Sequence, residues 1–383
     1  MNNAMGAIIL AAGESSRMGR CKAVLPLGGQ TVLEHEVELF RNAGVEHIVV
    51  VTGFHAPSIR PVINRLGVCE VCNPHPEQGM YSSVCTGLAA LESLCIGVFI
   101  LPVDIPLVRP CTLHLVEQAW REAGSSIAMP CIGADSGHPP LMATSYAPAM
   151  LAWKGQCGLQ GFFDTVANEI ISVPVPDELM LLDMDTPDAY DAITIKSEHT
   201  QIPSPRECLA LISEVRPIPE NIRAHSIMVA GLARAMGEQL NACGEHFDTD
   251  LLQAAGLLHD IARLERNHGP QGAKILDAMG FSAVARVIAP HSDMDVQDLA
   301  PITHREVIFL ADKYFKGNRP VPLETRYGAK MEKYGKNPEA REHVRKRLEH
   351  ALKSERRIEA RAGVVLKDLA IAVAGRLSTG DAG

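Results

Sequence analysis

Long apolar runs are missing from this chain of 383 residues: no stretch approaches the ~18 apolar residues that a membrane-crossing helix needs. The opening MNNAMGAIILAAG has no basic segment ahead of its apolar run, and that run is too short for a secretory signal. Positive charge is in deficit, with a net charge of −9. Aromatic residues make up only 4% of the chain and do not interleave with the arginines of its most basic stretch, so no nucleic-acid partner is expected, and no membrane. Ten cysteines supply one Cys-x-x-Cys, Cys69 and Cys72, with no second pair at zinc-ribbon spacing. In a strand these two point to opposite faces, so the thiols are expected to be buried or half-buried and structural, in a reducing cytoplasm. Neither the Walker pattern nor a dinucleotide-binding Gly-x-Gly-x-x-Gly occurs.

What is present has two characters. The first half alternates short apolar runs, GAIILAA, HIVVVTG, GVFILPVD and SSIAMPCI, with amphipathic stretches such as TVLEHEVELFRNAG and CTLHLVEQAWREAG. This alternation predicts a doubly wound α/β domain with strands buried on both faces, as in a parallel sheet. Ligands then bind beyond the carboxyl ends of the strands. KSEHTQIPSPRE reads as a linker, and the patterns after it are helical, from RAHSIMVAGLARAMGEQL to a charged run ending near Ala374. The expected division is residues 1–196, a linker at 197–206, a helical domain at 207–350 and a helical extension at 351–383. The run EAREHVRKRLEHALKSERRIEARAG is expected to be a solvated helix.

The stretch LAAGESSRMGRCKAVLPLGG, Leu10 to Gly29, places Arg17, Arg20 and Lys22 on a glycine-containing loop after the first strand. Backbone amides of such a loop can cradle phosphate oxygens. Gly13 and Gly19 allow close approach, and Arg17 and Lys22 add charge-assisted hydrogen bonds. The order Leu-Ala-Ala-Gly, Ser-x-Arg-Met-Gly, Lys22, Leu-Pro-Leu-Gly-Gly resembles the signature of the molybdopterin nucleotidyltransferase-like family, above all its cytidylyltransferases. NPHPEQGMYSSVCTGL, LPVDIPLV, SGHPPLM and LLDMDTPDAY continue the likeness in family order. The resemblance implies that Leu10, Ala11, Ala12, Gly13, Arg17, Gly19, Lys22, Ser82 and Ser83 bind a nucleotide, CTP rather than GTP. It implies Mg²⁺ on Asp104 and Asp185, with Asp183 as substitute for the latter, and a molybdopterin-type acceptor whose phosphate is the nucleophile. No protein base is then required: catalysis is positioning and charge neutralisation by Arg17, Lys22 and Asp104. Asp104 also suits a helix cap, and MDTPDAY a helix start. GQCGLQ stands where the family shows an acid and an arginine, which leaves open another acceptor, such as a sugar phosphate or a cobalamin precursor. A carrier that hands a finished molybdenum cofactor to an apoenzyme is the alternative without turnover.

In the second half, His225, the adjacent His259 and Asp260, and Asp312 occur in contexts, LLHDIA and ADKY, that resemble the all-helical HD-domain phosphohydrolases. The resemblance implies one divalent transition metal, such as Mn, Fe, Ni or Zn, on these four residues, with Asp260 also catalytic and a phosphoester as substrate. His268 and His291 match the further histidines of two-metal members, although His268, beside Gly269 and Pro270, also suits an ordinary loop. His259 and Asp260 are expected on a helix, meeting at the edge of its apolar face.

Overall fold

The computed structural model of the chain describes residues 4–124, 127–289, 300–333 and 338–378. Two compact units emerge, residues 1–200 and 201–383.

The first unit is built around β1 (Met5–Ala11), in which every residue is buried. Full burial of an Ile8 or Ile9 side chain contributes about 1.5–3 kcal/mol. A two-residue ladder, β2 (Pro26–Leu27) with β3 (Gln30–Thr31), leads into α1 (Val32–Asn42). Thr31 and Glu34 form a capping box there: the Glu34 N–H donates to Thr31 Oγ1 at 3.3 Å and the Thr31 N–H to Glu34 Oε2 at 2.7 Å. Then follow β4 (His47–Thr52), α2 (Ala56–Leu66), β5 (Cys69–Cys72), α3 (Met80–Leu91), β6 (Gly97–Pro102) and α4 (Pro110–Ala123). The remaining elements are β7 (Ile127–Ile132), β8 (Asp135–Ser136), β9 (Leu141–Ala143), α5 (Ala147–Ala152), α6 (Gly158–Thr165), β10 (Ile170–Pro174) and α7 (Pro187–Ser197).

The sheet order is β10-β7-β9-β6-β1-β4-β5, with β8 paired to β7. The sheet is mixed, not all parallel. β1 runs parallel to β4 and β6, but β9 is inserted antiparallel between β6 and β7. That strand arises from SGHPPLM, whose three paired residues are too few to show a period. The expectation of concealed thiols also fails in part: Cys69 and Cys72 are both exposed, as are Cys157 and Cys243. β5 lies at the end of the sheet, pairs only with β4, and has no buried residue.

The second unit is helical: α8 (Pro205–Ala210), α9 (Glu220–Ala242), α10 (Thr249–Leu258), α11 (His268–Ala278), α12 (Ser282–Ile288) and α13 (His304–Lys313), then α14 (Leu323–Lys333), α15 (Pro338–Ala362) and α16 (Leu366–Ser378). A small antiparallel ladder, β11 (Phe315–Lys316) with β12 (Arg319–Pro320), interrupts it. α15 is the charged run, and it passes through residue 350 without a break. One face is solvated, while Val344, Ala351, Ile358 and Ala362 join the same core as Leu232, Leu258 and Phe309. No helix among the described residues is long and apolar enough to cross a membrane.

Candidate active sites

β1 and β6 are in register with Leu10 beside Pro102, so their carboxyl ends open onto one rim. The Val103 N–H donates to Leu10 O at 3.1 Å, fixing the next residue, Asp104, beside the loop that follows β1. The Met184 N–H donates to Asp104 O at 3.0 Å, and this brings Asp185 alongside. Lys22 is buried between the two acids: its Nζ lies 2.9 Å from Asp104 Oδ2 and 2.6 Å from Asp185 Oδ1. Arg17 reaches Asp185 Oδ2 at 2.6 Å while its own side chain stays 70% exposed. Burial acts against the charge on Lys22, but the hydrogen bonds and charges of Asp185 and Asp104 outweigh it and raise its pKa. The hydrogen bond from Lys22, with help from Arg17, holds the Asp185 carboxyl below its usual range. Neither acid is spent on a helix end. The residue capping α4 is Arg109, and Thr186 caps α7 by accepting from the Ala189 N–H at 3.3 Å. Asp183 is exposed, and it is Asp185 that meets Lys22.

Beside this pair lies a cleft of about 520 Å³. Leu10, Ala11, Ala12, Gly13, Lys22, Ser83 and Asp104 line it. Arg17, Gly19 and Ser82 are not among its lining residues. Arg17 is turned to Asp185, and Gly19, at φ +66°, closes a turn by donating to Ser15 O at 2.9 Å. The Ser82 hydroxyl donates to Gly79 O at 2.8 Å and accepts from Asn73 Nδ2 at 2.8 Å. The sequence reading missed Phe54, which lines the cleft because β4 is the neighbour of β1. Gly53 allows this close approach: a Cβ there would lie 2.6 Å from Ala12 O.

In the helical unit, α9 and α10 pack so closely that a Cβ on Gly256 would lie 2.4 Å from Ala230 Cα. α10 stops at Leu258. His259 is the C-cap, its backbone still at helical angles (φ −58°, ψ −30°), and Asp260 lies in the turn that follows rather than in the helix itself. Ligand atoms of His225, His259 and Asp260, all buried, lie within 4.8 Å of one another. His225 Nδ1 is 3.1 Å from Gly317 O, in the turn between β11 and β12, and His259 Nδ1 is 2.8 Å from Gly256 O. A carbonyl only accepts, so each Nδ1 carries a hydrogen and each Nε2 is left facing a carboxylate. For His225 that is Asp312 Oδ1 at 3.1 Å, and for His259 it is Asp260 Oδ2 at 3.5 Å. Imidazole nitrogens oriented by backbone carbonyls, together with carboxylates, are a fitting donor set for a divalent transition metal.

Asp312 meets His225 at Nε2 but falls outside the three-residue group. Burial opposes its charge, but Lys313, His225 and Arg326 together hold its pKa well below the usual range. His268 borders the group, with Nε2 3.5 Å from Asp260 Oδ1. His291 lies outside the described residues.

Comparison with known proteins finds a family match in each unit. Residues 7–170 match the MobA-like NTP transferase domain, and residues 222–316 match the HD domain. The chain joins a MobA-like NTP transferase domain to an HD domain. It is 27% identical over 203 residues to the molybdenum cofactor cytidylyltransferase of Escherichia coli (strain K12), covering 52% of this chain and 100% of that protein. To the bifunctional protein GlmU of Maricaulis maris (strain MCS10) it is 33% identical, over 34% of this chain and 28% of that one. It is 35% identical to the molybdenum cofactor guanylyltransferase of Xanthomonas euvesicatoria pv. vesicatoria (strain 85-10), over 28% of this chain and 50% of that protein.

Proposed function

We propose that the transferase domain moves CMP from CTP onto the phosphate of a molybdopterin-type acceptor and releases pyrophosphate, and that the HD domain hydrolyses a phosphoester. The observation that carries the first half is the buried Lys22 ammonium held between Asp104 and Asp185 at the mouth of the cleft. The acceptor phosphate is anionic at neutral pH, so the reaction asks for positioning and charge neutralisation rather than a general base. Lys22 and Arg17 supply cationic donors for the triphosphate, and Gly13 leaves the backbone open to it. Asp104 and Asp185 converge on one cation, as the carboxylates of a Mg²⁺ site do. When bound there, Mg²⁺ would supply charge neutralisation for the phosphate oxygens. The Leu10–Gly13 segment and the likeness to a cytidylyltransferase favour CTP, while the guanylyltransferase relative keeps GTP as the competitor to test.

In the HD domain, His225, His259 and Asp260 would hold a divalent transition metal, with Asp312 and His268 beside them. That metal would supply activation of water and polarisation of the phosphoester. His225 and His259 are kept in register by their Nδ1–carbonyl contacts, and Lys313, His225 and Arg326 favour the ionised Asp312 carboxyl at His225 Nε2. All ten cysteines are free thiols, which supports a reducing, cytoplasmic setting.

The test is pyrophosphate release from CTP or GTP with molybdopterin, set against sugar phosphates and cobalamin precursors. Release with CTP and molybdopterin, lost in Asp104→Ala, is the expected result. No release with any pair, alongside tight binding of a finished molybdenum dinucleotide that survives Asp104→Ala, would point to a carrier instead.

A further inference from the structure

Phe54 stands out in a chain poor in aromatic rings. Among the described residues it is the one aromatic side chain in the set of exposed large hydrophobics, at 48% exposure, and it lines the transferase cleft. Met80, also 48% exposed, lines the same cleft. The exposure is not that of a loose tip, because the Phe54 backbone and the His55 side chain are both tied to the glycine-containing loop. The Phe54 N–H donates to Ala12 O at 3.4 Å, Gly53 lies against Ala12, and His55 Nε2 sits 2.7 Å from Glu14 O. An apolar ring has nothing to offer a phosphate. What it can take, in a cleft that also carries Lys22 and Asp104, is the flat face of a heterocycle.

We propose that Phe54 is the stacking platform for the base of the nucleotide, with Met80 as a second apolar contact. This rests on the reading of the N-terminal unit as a nucleotidyltransferase and goes further by naming what holds the base. Every base has a π-face, so stacking fixes its position without choosing between bases. The choice between cytosine and guanine is left to hydrogen-bonding groups. A pterin ring on the acceptor offers the same chemistry. The ties of Phe54 to Ala12–Glu14, the loop read as cradling the triphosphate, assign the ring to the nucleotide.

The experiment is calorimetric titration of the full chain, with Mg²⁺ and no acceptor, using CTP, GTP and inorganic tripolyphosphate. Phe54→Ala should weaken CTP and GTP alike, by roughly tenfold to a hundredfold, and leave tripolyphosphate affinity unchanged. Phe54→Trp should restore nucleotide binding, whereas Phe54→Leu should restore little. The melting temperature should change little in all three, since about half of the Phe54 surface is exposed. Unchanged CTP binding in Phe54→Ala overturns the proposal, as does an equal loss of CTP and tripolyphosphate, which would mark a structural role. Weakened acceptor binding with CTP unaffected assigns the ring to the acceptor and overturns it too. A wild-type chain that binds neither CTP nor tripolyphosphate removes the underlying reading, a result distinct from all of these.

Discussion

Asp104 and Asp185 at the transferase rim are 27% and 24% exposed, and protein cations, Lys22 and Arg17, answer their charge. In the HD domain His225, His259 and Asp260 are buried, and the two imidazole Nε2 atoms face carboxylates. The difference concerns what each site waits for. At the rim the charges are already balanced within the protein, in contact with water. On the proposed function, a polyphosphate with its cation would enter by exchange, taking over ammonium and guanidinium from the acids. In the HD domain the acids also meet protein cations, Arg263 at Asp260 and Lys313 with Arg326 at Asp312, but there two imidazole nitrogens stand beside the carboxylates and the group is buried. Burial strengthens every such pairing, because charges interact more strongly in a low dielectric than in water.

Four experiments bear on this contrast. The largest effect is expected from Lys22→Met, which keeps the volume and removes the cation that both acids share. Pyrophosphate release should fall by about 10²–10³, the scale of losing one preorganised charge-stabilising group. Near-normal turnover would show that the ion-pair network is only structural. Next is His259→Ala. Wild-type chain should take up Mn²⁺ or a similar ion and be stabilised by about 2.7 kcal/mol at a hundredfold excess over Kd, and a chelator should reverse this. The variant should melt at one temperature with or without the ion, and continued metal stabilisation would break the HD half of the comparison.

Gly256→Ala should be milder. The added methyl meets Ala230 backbone, so α9 and α10 must part, at about 1–3 kcal/mol of stability. His259 then moves from His225, and metal affinity should drop while the transferase domain is unaffected. Urea unfolding and metal titration on one preparation check both.

The smallest effect concerns acid. The Glu34 carboxyl is lowered from 4.5 to about 2, first by the Thr31 N–H of the capping box and then by Arg65. Its folded pKa lies below the unfolded one, so its contribution is full above about 4.5 and is lost as pH falls toward about 2. Glu34→Gln should cost about 1 kcal/mol at neutral pH, and the gap to wild type should close below pH 2. α1 packs on the Lys22 turn, so the rim should feel this loss before the HD centre does. A gap that persists at low pH would show that the carboxylate charge plays no part.

Much of the architecture was legible in residue order. Alternating buried runs and amphipathic stretches announced β1, β4, β6 and β7 with α1, α3 and α4 between them, because strand and helix periods differ along the chain itself. β9 and β5 were not legible: one is three residues long and the other pairs on a single side. Within the candidate sites, the sequence pointed to Lys22, Asp104 and Asp185 separately. That one ammonium bridges both acids depends on the Met184-to-Asp104 backbone hydrogen bond, between segments 80 residues apart. Arg17, read as a phosphate ligand, rests on Asp185, and Ser82 serves the start of α3.

Sequence alone determined the kinds of group available and the order in which they come: a glycine-containing loop after a strand, acids at later strand ends, then His, His-Asp and Asp on helical segments. These are local properties, set by neighbouring residues and by the periods of helix and strand. The tertiary structure decided which groups meet. The order of strands places Phe54 against the β1 loop, the end of α10 turns His259 and Asp260 toward His225, and the β11–β12 turn brings Gly317 to the His225 ring. Such meetings depend on how distant segments pack and on which buried polar atoms must find partners, and neither is written in the spacing of residues along the chain.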